Sequence, residues 1–135
     1  MSLNLDLVGK AYPSITLVVA PERVARFREA IGQHVDGVPP TFATVGEFAA
    51  FPQVTDDPEL HMDYSRVVHG EQEYDWRRPL RPGEELAVHV RIASIRVKGG
   101  HGFLTIETEF RDAEGKVAVL ARSTMIERGG VGEGG

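Results

Sequence analysis

Val38-Pro39-Pro40-Thr41-Phe42-Ala43-Thr44-Val45-Gly46-Glu47-Phe48-Ala49-Ala50-Phe51-Pro52 is the stretch whose reading decides the fold. Phe42, Val45 and Ala49 recur at helical spacing, with Phe48 off to one side, and Ala43, Ala50 and Phe51 make the other faces apolar too. A helix apolar nearly all round belongs inside a protein. Pro40 suits the first turn, Thr41 or the pair Thr44 and Glu47 suits the cap, and Pro52 is expected to stop the helix. Gly46 costs about 1 kcal/mol of helix propensity against Ala, which predicts that another backbone passes close to it.

Outward from this helix the chain is mostly extended. Ala11 to Val19 alternates, with Ile15, Leu17 and Val19 on one face, after a polar lead-in from Leu3 to Lys10. Pro21-Glu22 opens a helix whose apolar face is Val24, Phe27 and Ile31, and Gly32 ends it. A polar loop, Gln33 to Gly37, leads into the central helix. Beyond Pro52, Gln53 to Tyr64 has no periodicity and reads as an exposed, mobile acidic loop. Ser65 to Trp76 is extended with Gln72, Tyr74 and Trp76 on one face and a bend at Gly70. Pro82-Gly83 is a type II turn that predicts neighbouring strands on either side.

Leu86, Val88, Val90 and Ile92 alternate, then the phase shifts to Ile95 and Val97, which places a bulge near Ala93-Ser94. Gly99-Gly100-His101-Gly102 turns the chain. Leu104 to Phe110 forms the next strand, Asp112 to Gly115 a hairpin turn, and Val117 to Glu127 the last strand. The Gly-rich tail, 129–135, is expected to be disordered and the domain to span 1–128. The pattern therefore predicts an α+β chain of the hot-dog fold: a roughly five-stranded antiparallel sheet, four of its strands in a meander, wrapped around one long helix. The sheet face away from the helix is expected to carry an apolar row for another copy or a relative.

Composition narrows the function. The 135 residues are 41% hydrophobic and contain no cysteine, which suits one domain with its own core and excludes a thiolate nucleophile or a disulfide framework. No apolar run approaches the roughly 18 residues of a membrane span, and Met1 to Lys10 lacks a secretion signal, so a cytoplasmic protein is expected. The net charge of −5 argues against a nucleic-acid partner. His61 and Asp63 lack a third ligand, so no metal is expected, and no cofactor either.

His69-Gly70-Glu71-Gln72-Glu73-Tyr74, followed by Arg78-Pro79-Leu80-Arg81-Pro82-Gly83-Glu84-Glu85-Leu86, resembles the MaoC-like dehydratase family in its amino-terminal type of hot-dog domain. Val38 to Phe42 resembles the start of that family's central helix, Phe27 to Gly32 the end of its first, and Gly100 to Thr105 with the last strand extends the likeness over nearly the whole chain. Such domains are similar to subunits of the heterodimeric dehydratases of mycolic-acid synthesis. The resemblance implies reversible hydration of a trans-2-enoyl thioester to the (R)-3-hydroxyacyl thioester, carried by coenzyme A or an acyl carrier protein. Active members carry an Asp followed five residues later by a His, in a D-x-N-P-x-H loop before the central helix. Here Gln33 stands in the place of the Asp, the following His is missing and the loop is shortened. Gln cannot take a proton from water, so the resemblance points to the partner type that shapes the acyl tunnel while a sister chain does the chemistry. A binding homodimer is the alternative.

Against that background the candidates are few. His34 and Asp36 form a makeshift dyad or only a polar loop. His69 beside Glu71 activates a water, positions a thioester carbonyl or bonds to backbone. Glu47, a carboxylate on an apolar helix, must be paired, neutral or at a pocket, and as a nucleophile or base it would make the chain a thioesterase. Pro40, Thr41, His69, Glu71, Gly100 and His101 are expected to bind substrate. Arg77, Arg78 and Arg81 are expected to meet coenzyme A phosphates or an acidic carrier, unless they form a solvated edge.

Overall fold

The computed structural model describes residues 3–34 and 36–129. One antiparallel sheet carries β1 (Ile15–Val18), β2 (Val67–Trp76), β3 (Glu85–Lys98), β4 (His101–Arg111) and β5 (Val117–Glu127), in the spatial order β1-β3-β4-β5-β2. Against one face lie α1 (Pro21–Ile31), α2 (Ala43–Ala50) and α3 (Pro52–Thr55). This is the α+β hot-dog architecture, with the sheet curled over a central helix. The expected disordered tail lies outside the described residues from 130 onward, and Gly129 donates its amide to His101 Nδ1 at 2.9 Å.

The strand order corrects the expected meander. Only β3, β4 and β5 follow one another; β2 crosses to the far edge and pairs with β5. The Pro82-Gly83 turn, with Gly83 at φ 86°, therefore joins strands that are not neighbours. Arg78 anchors that crossover by a fork onto Glu84 at 2.7 and 2.9 Å, with Asp112 at 3.5 Å beside it. The register shifts between Ile92 and Ser94 and between His69 and Glu71, at the two places where the pattern asks for a bulge or bend.

The central element is longer and less uniformly buried than its composition suggests. A 3-10 turn at Pro40–Phe42 runs into α2, and Pro52, instead of stopping the helix, opens α3, because a proline is tolerated in a first turn that needs no amide donor. No side chain caps α2; the Thr44 hydroxyl donates back to the Thr41 carbonyl at 2.7 Å. The buried stripe is Phe42, Ala43, Gly46, Glu47, Ala50, Phe51 and Val54, while Ala49 is exposed and Phe48 is 64% exposed. Gly46 is crowded by side chains and not by a backbone: a Cβ there would lie 2.7 Å from the Phe110 ring and 3.2 Å from Leu17. In α1, Val24 is buried and Phe27 meets the Phe42 ring edge-on at 5.4 Å, but Ile31 is exposed at the last turn.

The segment after Pro52 is not an exposed loop. Val54, Thr55 and Leu60 are buried, and the Asp57 carboxylate accepts from Lys10 Nζ at 2.6 Å and Tyr12 Oη at 2.8 Å. The lead-in residues close this clasp from the other side, with Leu3 in the core and the Asn4 amide donating to the Leu60 carbonyl. On the outer sheet face the expected apolar row is confined to one end, where Val68, Ile126 and Phe103 stand opposite one another on β2, β5 and β4, and the middle is charged. Glu107 on β4 accepts from Arg91 on β3 and Arg122 on β5, a charge ladder across three strands that suits solvent.

Leu60→Ala separates the two readings of this segment. A side chain filling the core costs about 2–5 kcal/mol when truncated, whereas a solvated loop leucine costs within about 0.5. Urea unfolding is expected to give the larger loss.

Candidate functional site

The seam between the central helix and β2 gathers most of the polar chemistry of the inner face. α2 lies nearest β1 and β3, where Gly46 lets it settle onto Leu17 and Phe110. Toward β2 the gap is bridged by long side chains. Tyr74 Oη donates to Glu47 Oε1 at 2.6 Å and Gln72 Nε2 to Oε2 at 3.0 Å, so both oxygens of this fully buried carboxylate are engaged. Gln72 and Tyr74 reach it together because strand residues two apart share a face. Burial pushes the Glu47 carboxyl above its ordinary range, against the lowering pull of Tyr74, Gln72 and the charge of His69. Burial and the Glu47 bond together hold the Tyr74 hydroxyl protonated far above neutrality.

One bend earlier on β2, His69 Nε2 lies 2.9 Å from Ser123 Oγ and 3.0 Å from the Glu71 carbonyl. A carbonyl only accepts, so this contact calls for a proton on Nε2. His69 lines a cleft of about 520 Å³ with Phe48, Phe51, Pro52, Thr55, Asp56, Tyr64, Val67 and Met125. Asp56 is a lining carboxylate that sequence reasoning missed, since it follows Pro52 and was assigned to the acidic loop; Ser123, fully buried, was missed as well. The signal for both was positional: Thr55 and Asp56 continue the central helix, and Ser123 sits opposite Gln72 in the β2–β5 register.

The other sequence candidates are distributed around this seam. Pro40 shares a smaller apolar groove, about 360 Å³, with Val38, Trp76, Arg77, Arg78, Pro79 and Leu80 at the opposite end of β2. Thr41 is exposed beside it, and its carbonyl accepts from Thr44. Arg77 pairs with Asp75 at 3.1 Å, Arg78 is committed to Glu84, and the Arg81 amide donates to that same carboxylate. His34 and Asp36 are exposed in the loop before the central helix, Asp36 lying 3.7 Å from Arg28, and neither lines the cleft. Glu71 faces outward onto a separate pocket on the outer sheet face, and Gly100 and His101 lie at the β3–β4 turn beside Gly129, away from the cleft lining. His61 is exposed at φ 62°, and Asp63 spends its carboxylate on the Ser65 amide and hydroxyl. No helix among the described residues is long and apolar enough to cross a membrane.

Because burial raises the folded-state pKa of Glu47 above the unfolded value near 4.5, the native chain holds this proton longer than the unfolded one. Its contribution to stability is then greatest below the unfolded value and declines as pH rises through the folded one. Glu47→Gln keeps the shape and removes the titration. The variant is expected to gain on the native chain steadily as pH rises from 4 toward neutrality; a difference that stays constant with pH, in urea unfolding at stepped pH, would count against a raised pKa.

The chain is similar to known proteins both in sequence and in fold. A UPF0336 protein of Streptomyces coelicolor is 36% identical over 95% of this chain and 97% of its own length, and one from Saccharopolyspora erythraea is 34% identical over 96% and 94%. Among solved structures, the C-terminally truncated HadBC (3R-hydroxyacyl-ACP dehydratase) complex of Mycobacterium tuberculosis superposes with a TM-score of 0.72 at 17% identity, covering 90% of this chain and 97% of that one. The R-hydratase PhaJ1 of Pseudomonas aeruginosa gives 0.67 at 16%, covering 91% and 83%. At such identities the likeness fixes the fold, and the MaoC-like hot-dog resemblance read from the sequence holds. The model of the FAS1-like dehydratase domain region matches residues 36–121, and with these relatives the chain belongs to that family.

Proposed function

We propose that this chain, a single hot-dog domain, is a subunit of an (R)-specific 3-hydroxyacyl-thioester dehydratase, or enoyl-thioester hydratase. It binds the acyl thioester and depends on a sister chain for the acid–base pair. The observation that carries this reading is a mismatch: a formed, mostly apolar cleft stands beside the central helix, while Gln33, His34 and Asp36 in the loop before that helix are not among the residues that line it. The relatives lend weight, since HadBC is itself a two-chain dehydratase by name.

The β2 edge supports the need for a partner. This ten-residue strand pairs with β5 on one side only, and its free side adjoins the cleft and the exposed Phe48, Tyr64 and Val68. Long unpaired edges invite another strand. Glu71, Glu73 and Asp75 are exposed along that strand, so two copies laid edge to edge would bring like charges together. A sister chain of different composition avoids this. Thioester hydrolysis by Glu47 draws less support, because both its oxygens are bonded and it is absent from the cleft lining.

Given a short enoyl-coenzyme A, the purified chain is expected to leave the conjugated absorbance unchanged and to release no thiol. Co-expression with a hot-dog sister chain is expected to yield a one-to-one complex that consumes the enoyl absorbance. Absorbance loss by this chain alone would move the chemistry to His69 and Asp56 in its own cleft and defeat the partner requirement. Thiol release would favour hydrolysis instead.

A further inference from the structure

The cleft and the groove are two ends of one seam. Inward-facing residues of β2 succeed one another as His69, Gln72, Tyr74 and Trp76, and the central helix runs the opposite way past them. His69 to Trp76 spans roughly 23 Å at the rise of extended chain. Pro40 to Thr55 spans roughly 22 Å at helical rise, so the two elements keep step. Thr55 and His69 share the 520 Å³ cleft, Pro40 and Trp76 share the 360 Å³ groove, and Glu47 meets Gln72 and Tyr74 between them.

We infer that the Glu47–Tyr74–Gln72 bridge is a partition that sets the acyl chain length this subunit accepts, by closing the cleft toward the groove. The inference rests on the thioester-binding reading above and assigns its specificity. Phe48, Phe51, Pro52, Val67 and Met125 give the cleft an apolar lining suited to the tail of an acyl thioester. A tail growing along the seam meets a buried carboxylate whose two donors it cannot replace. Pushing between them would leave the buried acid and the half-buried Tyr74 hydroxyl unpaired, and a hydrocarbon offers nothing in return. A hydrophobic plug at the same place would be displaced far more readily, since one apolar contact substitutes for another. Glu47, Tyr74 and Gln72 are therefore specificity residues that act by position and take no part in the chemistry.

Saturated acyl-coenzyme A thioesters from butyryl to palmitoyl cannot be hydrated and report binding alone. They are titrated calorimetrically into the full chain, in the assembly in which it purifies, and into Glu47→Gln, Glu47→Ala and Gln72→Ala. In the native chain affinity rises by about fourfold per added methylene, as expected for burying one CH₂, until the cleft is full and then stops. Glu47→Gln preserves the bridge and is expected to stop at the same length. Glu47→Ala removes both bonds and Gln72→Ala frees Oε2 while Tyr74 stays on Oε1, and in each the rise is expected to continue for at least two further carbons. Gln72 is exposed on the edge strand, so its variant keeps the test alive if Glu47→Ala does not fold. One length limit shared by the native chain and Gln72→Ala, and by Glu47→Ala where it folds, overturns the partition while leaving thioester binding intact. No binding by the native chain at any length overturns both readings together.

Discussion

A carboxylate in the middle of an apolar helix is the constraint around which this protein is arranged. Glu47 is as buried as Phe42 and Phe51 on the same stripe, and an isolated acid there would be prohibitively costly to desolvate. Tyr74 and Gln72 make it tolerable, and in doing so they couple the helix to an edge strand whose one strand neighbour is β5. Such a buried polar group is a poor source of net stability, because an apolar cluster of similar volume commonly serves as well or better. What it supplies is position. Two directional bonds hold β2 at one distance and one register relative to α2, where a hydrophobic contact would allow sliding.

The topology explains why that strand needs an extra tie. In a simple meander β2 would sit directly beside β3. Here it crosses the helix layer and arrives at the far edge, so half its backbone donors and acceptors face away from the sheet. The crossover is pinned at its far end by Arg78 on Glu84 and Asp112, and at its near end the segment before β2 is clasped by Lys10 and Tyr12 on Asp57. Each fixes a piece of chain that no strand pairing holds.

Much of this was legible in the sequence where the signal was periodic or stereochemical. The alternation of Leu86 to Ile92, the phase slip at Ala93-Ser94 and the bend at Gly70 all appear where the residues put them. The positive φ at Gly32 and Gly83 matches a helix end and a type II turn. Strand order was not legible, since a turn such as Pro82-Gly83 reverses the chain without saying which strand it will meet. The helix face was misread because Ala, Gly and Phe give no sharp polarity contrast: Ala49 and Phe48 fit a buried helix as well as Ala50 and Phe51 do. Leu60 was hidden by acidic neighbours. Of the site, Glu47 and His69 were legible as chemically expensive residues in unusual places; Ser123 and Asp56 were not, because each becomes notable only through residues distant in sequence that pack against it.

The cleft is the consequence of two unequal neighbours on one helix. Gly46 removes a side chain on the side facing Leu17 and Phe110, so the helix settles toward β1 and β3. Glu47, the next residue, reaches the other way and meets β2 through the length of a tyrosine and a glutamine. A helix drawn to one side of a curled sheet must leave space along the opposite side, and the clefts at His69 and Trp76 are that space, on either side of the bridge that holds it open. The wall of this space is the free edge of the sheet. On the proposed reading, a chain that completes that edge would also border the cleft, so assembly and substrate binding would fall on the same strand.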